Sequence, residues 1–507
     1  MKHEKTSVSA YIWLIAAVVI LFFAGGDRPL EIAVWLSPFL LLRFFREVKP
    51  WIALLFALPC VSAVTLLADR GMSPLPLSIF ISVTVINSAI ALIPYFLDGL
   101  LSRASPSAVR TLLFPSAAVA AEAFLASQFS GGTWGNPAYG INNLTLLQLV
   151  SVTGIWGLLF LIYWTASVGN EIWEHRHHLG FIRKMVTTYF IVIMVIYGFG
   201  QWRLYHEKPA AQMVRVSGIT PGAEHRAEMM SIFGKIFSSK RTGVFDSESI
   251  RIPIQNSYRK LLAESVKMAD SGVEMVVWPE GATFLFESDE EAFIQKAAQS
   301  AQEHNFYLGL GIIILQDSCQ KLVAENQPFA QNKLILIAPD GRIAWEYSKS
   351  NLAPGYEYAM TIRGDGVLKA LQTANWKVTG AICYDMDFPS YIRQAGKMKA
   401  DLLLAPSNDW PEIKHTHAKM ARLRAIENGA SLLRPASSGL SIAADPCGNI
   451  VSYVDDLRSD GAPLVAVLPV GSVRTLYTLI GDCWKWVCVF GVVFLIVLSI
   501  VRRGKKT

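Results

Sequence analysis

Three residues with reactive side chains each follow a short apolar run in the C-terminal half of the chain. Glu280 ends the run VVWPE, Lys349 ends WEYSK, and Cys383 lies in GAICYD. Open α/β sheets present functional groups where buried strands end, so these three are candidates for one active site. Each alone also fits a structural role, as a turn carboxylate, a solvated lysine and a small core thiol.

Together the three side chains would support nucleophilic catalysis by cysteine. The nucleophile is the thiolate, and a free thiol with a pKa of about 8.5 is mostly protonated at neutral pH. It therefore needs a base or a nearby cation. We expect Glu280 to be the base and Lys349 to stabilise first the thiolate and then the tetrahedral oxyanion. The backbone N–H of Tyr384 is a candidate second donor to that oxyanion.

The elements that must position these residues are predicted between about Gln212 and Val470, where the composition is globular. Six buried strands are predicted: Met275–Trp278, Phe306–Leu315, Lys333–Ala338, Lys377–Tyr384, Asp401–Ala405 and Leu432–Pro435. Helical periodicity covers Ile254–Asp270, Asp289–His304 and Lys414–Asn428. Asp340-Gly341 is a turn signal that predicts a hairpin over Lys333–Tyr347. The alternation predicts an α/β layered domain.

The rest of the chain is predicted to span a membrane. The sequence is 52% hydrophobic, too much for one soluble domain. Spans are predicted at Val8–Phe23, Leu30–Phe44, Trp51–Ala68, Leu75–Leu97, Thr111–Ala126, Leu144–Val168, Met185–Gly200 and Leu479–Val501. Leu30–Phe44 and Thr111–Ala126 are short of the roughly 20 residues of a spanning helix, and a tilted or re-entrant piece is their alternative. The first run lacks a signal-peptide cleavage site.

Basic residues predict the orientation of these spans. Basic residues precede the first span and follow the second, fourth and sixth spans: Lys2, His3, Lys5, Arg46, Lys49, Arg103, Arg110, Arg176, Arg183 and Lys184. The last span is followed by Arg502, Arg503, Lys505 and Lys506. The loops after the first and third spans hold only Arg28 and Arg70. The positive-inside rule then places both termini in the cytoplasm and the globular domain outside it. One miscounted span would reverse this orientation.

The predicted domains are therefore a transmembrane domain at 1–205 with about seven spans, an extracytoplasmic catalytic domain at 212–470 and a final helix at 479–501. The net charge of +6 lies mainly in the loops, so nucleic-acid binding has no support. No cofactor fingerprint or metal-ligand spacing is present, and neither cofactor nor metal is predicted.

Two further side-chain groups receive structural interpretations. Cys319 and Cys447 could pair in an oxidising compartment, but two free thiols are the simpler interpretation. His415 and His417 begin a helix in a lysine-rich run, which favours a solvated face over a catalytic role.

As a set, these motifs resemble those of the nitrilase, or carbon–nitrogen hydrolase, superfamily. Glu280, Lys349 and Cys383 occur in the order of its Glu-Lys-Cys triad, and the run SNDW at 407–410 and the helix ARLRAIEN at 421–428 are similar to its motifs. The resemblance covers roughly 212–470. It implies an α-β-β-α sandwich that needs no metal.

Within that superfamily the layout resembles the apolipoprotein N-acyltransferase family, which sets this domain between membrane spans. KSNLAPGYE, from Lys349 to Glu357, is similar to the stretch from the catalytic lysine to a second essential glutamate. The runs WLSPFLLLR at 35–43 and WGNP at 134–137 are also similar. The resemblance implies that Glu357 holds Lys349 or assists proton transfer. It also implies that Asn408 and Trp410, with Tyr384, bind the oxyanion or substrate.

The implied reaction is a two-step acyl transfer in the bacterial inner membrane. Cys383 would take an acyl chain from a phospholipid as a thioester, and the N-terminal amine of a diacylglyceryl-cysteine lipoprotein would accept it. Aromatic stretches at 284–286 and 410–411 would either shape the lipid entrance or pack as ordinary loops.

Two stretches are closer to soluble amidases of the superfamily. The run DWPEIKH at 409–415 is short, and CYDMDFP at 383–389 has an amidase-like sequence. A membrane-tethered amidase and an acyltransferase with another amine acceptor therefore stay open. An inactive scaffold is disfavoured because Glu280, Lys349 and Cys383 are all present.

Overall fold

The computed structural model describes residues 8–101, 107–128, 131–206, 212–242, 248–471 and 473–504. Within the orientation signal, Lys2, His3, Lys5, Arg103, Lys505 and Lys506 lie outside these ranges. The chain forms two compact units, Met1–His206 with Ile480–Thr507, and Glu207–Leu479.

The first unit is helical. Its helices are α1 (Val8–Ala24), α2 (Glu31–Glu47), α3 (Pro50–Ala68), α4 (Leu77–Leu101), α5 (Ser107–Gln128), α6 (Leu144–Leu147), α7 (Val150–Thr153), α8 (Ile155–Glu174), α9 (Leu179–His206) and the C-terminal helix Cys483–Gly504. By length and composition, four helices in the described ranges could cross a membrane: Pro50–Ala68, Leu77–Leu101, Leu179–His206 and Cys483–Val501. The number of spans stays a prediction.

The predicted span Leu144–Val168 is not one helix in the structure, and its crossing of a membrane stays a prediction. The side chain of Asn143 accepts from Leu146 N at the start of α6. Gly154 then adopts φ 64°, a left-handed conformation that suits glycine and interrupts the helix. The long helix of this region begins only at Ile155 and continues to Glu174.

Ion pairs between buried side chains connect the helices of this unit. Arg46 of α2 donates to Asp98 of α4 over 2.7 Å and to Glu171 of α8 over 2.9 Å. Arg110 of α5 lies 3.1 Å from Glu171. Charges among apolar helices are costly unless paired, so these contacts fix how the four helices pack.

The second unit alternates strands and helices. Its elements are β1 (Gln212–Gly218), α10 (Gly222–Thr242), α11 (Glu248–Asp270), β2 (Met275–Val277), β3 (Thr283–Phe286), α12 (Glu287–Glu303), β4 (Tyr307–Leu315), α13 (Cys319–Ala324), β5 (Ala330–Ile337), β6 (Ile343–Ser348), α14 (Tyr356–Met360), β7 (Ala370–Gln372), β8 (Lys377–Gly380), α15 (Pro389–Lys397), β9 (Leu402–Leu404), β10 (Ser407–Asn408), α16 (Lys414–Asn428), β11 (Ser431–Arg434), β12 (Ala436–Ser437), β13 (Leu440–Ala444), β14 (Ile450–Asp455), β15 (Leu464–Val470) and α17 (Leu476–Ile480).

Two sheets pack face to face in this unit. One runs β15-β1-β2-β4-β5-β6 with β3 beside β4, and the other runs β14-β13-β11-β9-β8-β7. Val216 and Leu334 of the first sheet share a buried cluster with Leu402 and Leu432 of the second. Helices α11 and α12 pack on the outer face of the first sheet, and α16 packs on β11 and β13. These layers confirm the predicted α-β-β-α sandwich.

Local predictions in this unit are mostly confirmed. The hairpin forms from β5 and β6, and the helix Lys414–Asn428 has the predicted bounds. The strand predicted over Lys377–Tyr384 is too long, because it ends at Gly380 and a 3₁₀ turn follows at Cys383–Asp387. Residues 284–286 belong to the buried strand β3, so their role is packing. Cys319 and Cys447 are buried and are not joined by a disulfide in the part of the chain that the structure describes.

Candidate active site

Cys383 sits in a sharp turn between β8 and α15. Its φ of +48° is a left-handed conformation that a residue with a side chain rarely adopts. Cys383 N donates to Pro406 O over 2.9 Å, and Asp385 N donates to Ile382 O over 2.9 Å. Strain of this kind persists only where surrounding contacts hold it, and it is frequent at active sites. The turn directs the Cys383 thiol toward the carbonyl oxygen of Asn408, 3.9 Å away.

Asp385 ties this turn to the strand that carries the lysine. Its carboxylate accepts from the hydroxyl of Tyr347 over 2.7 Å and from Asn351 N over 2.8 Å. The same side chain accepts from Ile382 N over 3.0 Å. One fully buried carboxylate therefore fixes both the end of β6 and the start of the cysteine turn.

Lys349 is fully buried between two carboxylates. Its ammonium lies 2.7 Å from Glu280 Oε1 and 2.5 Å from Glu357 Oε1. Its backbone N–H donates to Asn332 O over 2.9 Å. Burial opposes the charge, but Glu280 and Glu357 outweigh it and hold the pKa of Lys349 well above its ordinary value. The side chain is therefore a fixed cation.

Glu280 is held at both of its oxygens. Asn332 Nδ2 donates to Oε1 over 2.7 Å, and the backbone N–H of Asn408 donates to Oε2 over 3.0 Å. Glu357 is fixed in a similar way, because its Oε2 accepts from Ala353 N over 2.7 Å. Two glutamates with defined orientations thus flank one ammonium.

The thiol of Cys383 belongs to the same electrostatic cluster. Burial raises the pKa of the thiol well above its ordinary value, and the negative charge of Glu280 raises it further. The ammonium of Lys349 acts in the opposite direction. The structure therefore brings together all four predicted catalytic residues, Glu280, Lys349, Glu357 and Cys383, with a neutral thiol at rest.

The three other predicted site residues differ in how they reach the cluster. Tyr384 is next to the nucleophile and packs edge-on against Phe388. Asn408 reaches the site through its backbone, which holds Glu280, whereas the residue itself is exposed. Trp410 is half-buried, and its carbonyl accepts from Ile413 N. Oxyanion or substrate binding by these three stays a prediction.

The chain and its catalytic unit have recognisable relatives. Residues 250–470 match the carbon-nitrogen hydrolase family. The apolipoprotein N-acyltransferase of Geobacter metallireducens is 24% identical over 449 residues, 83% of this chain and 80% of that protein. That of Bradyrhizobium diazoefficiens is 24% identical, over 78% of this chain and 74% of its own.

Over most of its length the chain is therefore similar to apolipoprotein N-acyltransferases. Its matches to these relatives extend well beyond the catalytic unit into the helical one. Among solved structures, an amidase from Nesterenkonia sp. is 16% identical and covers 52% of this chain and 91% of its own, with a TM-score of 0.36.

Some residues at this candidate site were not predicted from the sequence. Asn332, which orients Glu280, is one of them. The prediction of a solvated His417 is wrong, because the side chain is 2% exposed and lies 2.7 Å from Asp409. The available signal was its helical spacing: His417 is four residues before Ala421 and seven before Arg424, both buried.

His417, Asp409 and Cys383 also form a group with metal-binding side chains. One ligand atom of each lies within 4.8 Å of the others. However, Arg434 donates to both oxygens of Asp409, over 2.9 and 2.8 Å. A guanidinium already neutralises this carboxylate, so the group does not fit a metal ion well.

Proposed function

We propose that this protein moves an acyl chain from a phospholipid, through a thioester on Cys383, to the N-terminal amine of a diacylglyceryl-cysteine lipoprotein. The observation that carries the proposal is the buried ammonium of Lys349, held between Glu280 and Glu357 beside a neutral thiol. The names of relatives that match most of the chain supply the substrate class.

In the first step, Glu280 acts as general base. The resting thiol is protonated, because burial and the carboxylates raise its pKa. As Sγ of Cys383 attacks the ester carbonyl, the thiol proton moves to Glu280 and a C–S bond forms. Lys349 and the backbone N–H of Tyr384 stabilise the tetrahedral oxyanion. The C–O ester bond then breaks, and the lysophospholipid leaves with the proton from Glu280.

The second step runs through the same groups. The acceptor amine attacks the thioester carbonyl, and Glu280 takes a proton from the nitrogen as the C–N bond forms. The C–S bond breaks, and the proton returns to the Cys383 thiolate. Throughout, Glu357 holds the ammonium of Lys349 toward the reacting carbonyl.

The membrane location of the substrates suits this architecture. Both the donor and the acceptor carry acyl chains, so an enzyme anchored by apolar helices meets them in one leaflet. We assign 1–205 and 479–501 to the membrane domain and 212–470 to an extracytoplasmic catalytic domain in the inner membrane, with both termini cytoplasmic. Alkaline phosphatase fused after residue 471 should be active in cells, whereas a fusion at the C-terminus should be inactive.

A membrane-tethered amidase is the second candidate, favoured by the short loop between Asp409 and α16. The two differ in their products. The purified protein in phospholipid micelles is given a diacylglyceryl-cysteine peptide, and separately a series of short aliphatic amides. We expect N-acylated peptide and no ammonia, and neither product with Cys383→Ala. Ammonia release without peptide acylation would favour the amidase.

A further inference from the structure

A buried network of four charges lies beside the nucleophile. His417 of α16 places Nδ1 2.7 Å from Asp409 Oδ1 and Nε2 3.4 Å from Asp387 Oδ1. Arg434 of β11 also binds Asp409. All four side chains are at most 5% exposed. The network lies outside the Glu-Lys-Cys arrangement described above.

The protonation of His417 follows from these contacts. A carboxylate only accepts, so Nδ1 must carry a hydrogen to lie 2.7 Å from Asp409. Nε2 faces a second carboxylate, which favours a proton there as well. Burial alone would lower the pKa of His417, but Asp409 and Asp387 outweigh it and raise the pKa to about 9. At neutral pH the ring is therefore an imidazolium.

The network connects the two segments that define the position of Cys383. Asp387 ends the 3₁₀ turn that begins at Cys383, and Asp409 follows Asn408, whose carbonyl faces the thiol. The imidazolium thus joins both sides of the strained turn. It also balances the charge there, because His417 and Arg434 offset Asp387 and Asp409.

We propose that the protonated side chain of His417 is a positioning residue for the nucleophile, holding the turn of Cys383 and balancing the carboxylates of Asp387 and Asp409 in the network beside the thiol. The inference deepens the proposed acyl transfer and rests on it for its biological role. The charged groups that face the ring are Asp387 from the turn, Asp409 after β10 and Arg434 from β11. On its own helix, Arg424 pairs with Glu427.

The test measures the reactivity of Cys383 without requiring acyl transfer. Iodoacetamide alkylation of the full-length protein in detergent is followed by intact mass from pH 6 to 10. His417→Asn keeps a donor toward Asp409 but removes one positive charge, so that the two carboxylates Asp387 and Asp409 outnumber Arg434 in the network beside the thiol. We expect alkylation at pH 7 to slow about tenfold and the profile to move about one pH unit upward.

If His417 acts by balancing charge, replacing Asp387 as well should restore the alkylation rate. A purely structural role for His417 does not predict this recovery. The double variant His417→Asn/Asp387→Asn loses one positive and one negative charge, so Asp409 and Arg434 again balance, and alkylation should return to within about threefold of the wild-type rate. His304→Asn is the matched control, because His304 forms a surface pair with Asp270. It should alkylate at the wild-type rate.

Two results would overturn the proposal. One is a folded His417→Asn protein with a wild-type alkylation profile, and the other is a slowed variant that Asp387→Asn does not rescue. If His417→Asn does not fold, the single variant Asp387→Asn tests the proposal. It should be alkylated at least as fast as wild type, and a tenfold slower rate would contradict the proposed role of His417. If alkylation behaves as expected but no acylated peptide forms, only the proposed function fails.

Discussion

The ammonium of Lys349 donates to Glu280 Oε1 over 2.7 Å, and neither side chain is more than 5% exposed. Replacing Lys349 with Met leaves the buried carboxylate of Glu280 and the partly exposed one of Glu357 without the cation between them. We expect thioester formation to fall by at least about 10³-fold, since the oxyanion loses its charged donor. Stability should fall by about 3–5 kcal/mol, as when one partner of a buried ion pair is removed. Single-turnover acylation and thermal unfolding measure the two effects.

Lys333→Met is the matched control for that variant. Lys333 is also nearly buried and lies 2.8 Å from Glu290 and 2.7 Å from Glu346, two carboxylates that are distinct from Glu280 and Glu357. It should lose stability and keep its acylation rate within about threefold of wild type. Equal losses of activity in both variants would show that Lys349 is a structural cation.

A methyl group added at each of two glycines of β4, Gly309 and Gly311, should have different effects on activity. A Cβ at Gly311 would lie 2.2 Å from the carbonyl oxygen of Pro279, the residue before Glu280. At Gly309 the nearest atoms are the methyl groups of Val277, 3.2 Å away. We expect Gly311→Ala to displace Glu280 and slow acylation at least about 100-fold, because positioning errors near 1 Å are costly. Gly309→Ala should stay within about threefold, and similar rates for the two variants would contradict this.

Asp385 should matter for activity although it does not touch substrate. In Asp385→Asn, an NH₂ group replaces one oxygen that accepts from Tyr347, Asn351 or Ile382. We expect a loss of about 2–3 kcal/mol in the free energy of unfolding and of at least about 100-fold in acylation. Asp365→Asn serves as the control, since its carboxylate also accepts from a backbone N–H and a lysine but lies at the surface. Unchanged acylation in Asp385→Asn would refute the anchoring role.

The stability of the protein should fall in mildly alkaline solution. The pKa of His417 is raised to about 9 in the folded state from 6.5, so the stabilisation is complete below pH 6.5 and disappears as the pH rises through 9. We expect the free energy of unfolding to drop by about 3 kcal/mol across this window. Unfolding followed by tryptophan fluorescence at several pH values measures the slope. In His417→Asn the slope should be nearly absent, and a slope like that of wild type would assign it to other groups.

Much of the catalytic fold follows from local sequence. The apolar runs of β4 and β5, the Asp340-Gly341 turn and the periodicity of α16 each indicate their element without knowledge of the partners. Glu280, Lys349 and Cys383 were selected because each follows an apolar run, and the structure places them after β2 and β6 of one sheet and after β8 of the other. Glu357 required family resemblance, since nothing in its own neighbourhood marks it.

The sequence predictions that the structure contradicts failed because of contacts between segments that are distant in the chain. Ile382 and Cys383 look like the end of a strand, but Asp385 and the left-handed Cys383 turn the chain through contacts that the sequence does not display. His417 looks solvated among lysines, yet Asp387 and Asp409 come from segments 30 and 8 residues away and satisfy it in the interior. Leu144–Val168 is mostly apolar, and the breaks between α6 and α7 and at Gly154 are not evident from its hydropathy.

Intact mass spectrometry can show whether Cys383 carries the acyl chain. The purified protein, incubated in detergent–phospholipid micelles, should gain the mass of one fatty-acyl group, and hydroxylamine should remove it, as for a thioester. Cys383→Ala should gain no mass, whereas Cys447→Ala, which removes another buried thiol, should gain the same adduct as wild type. An adduct that persists in Cys383→Ala, or no adduct with any phospholipid, would contradict the account.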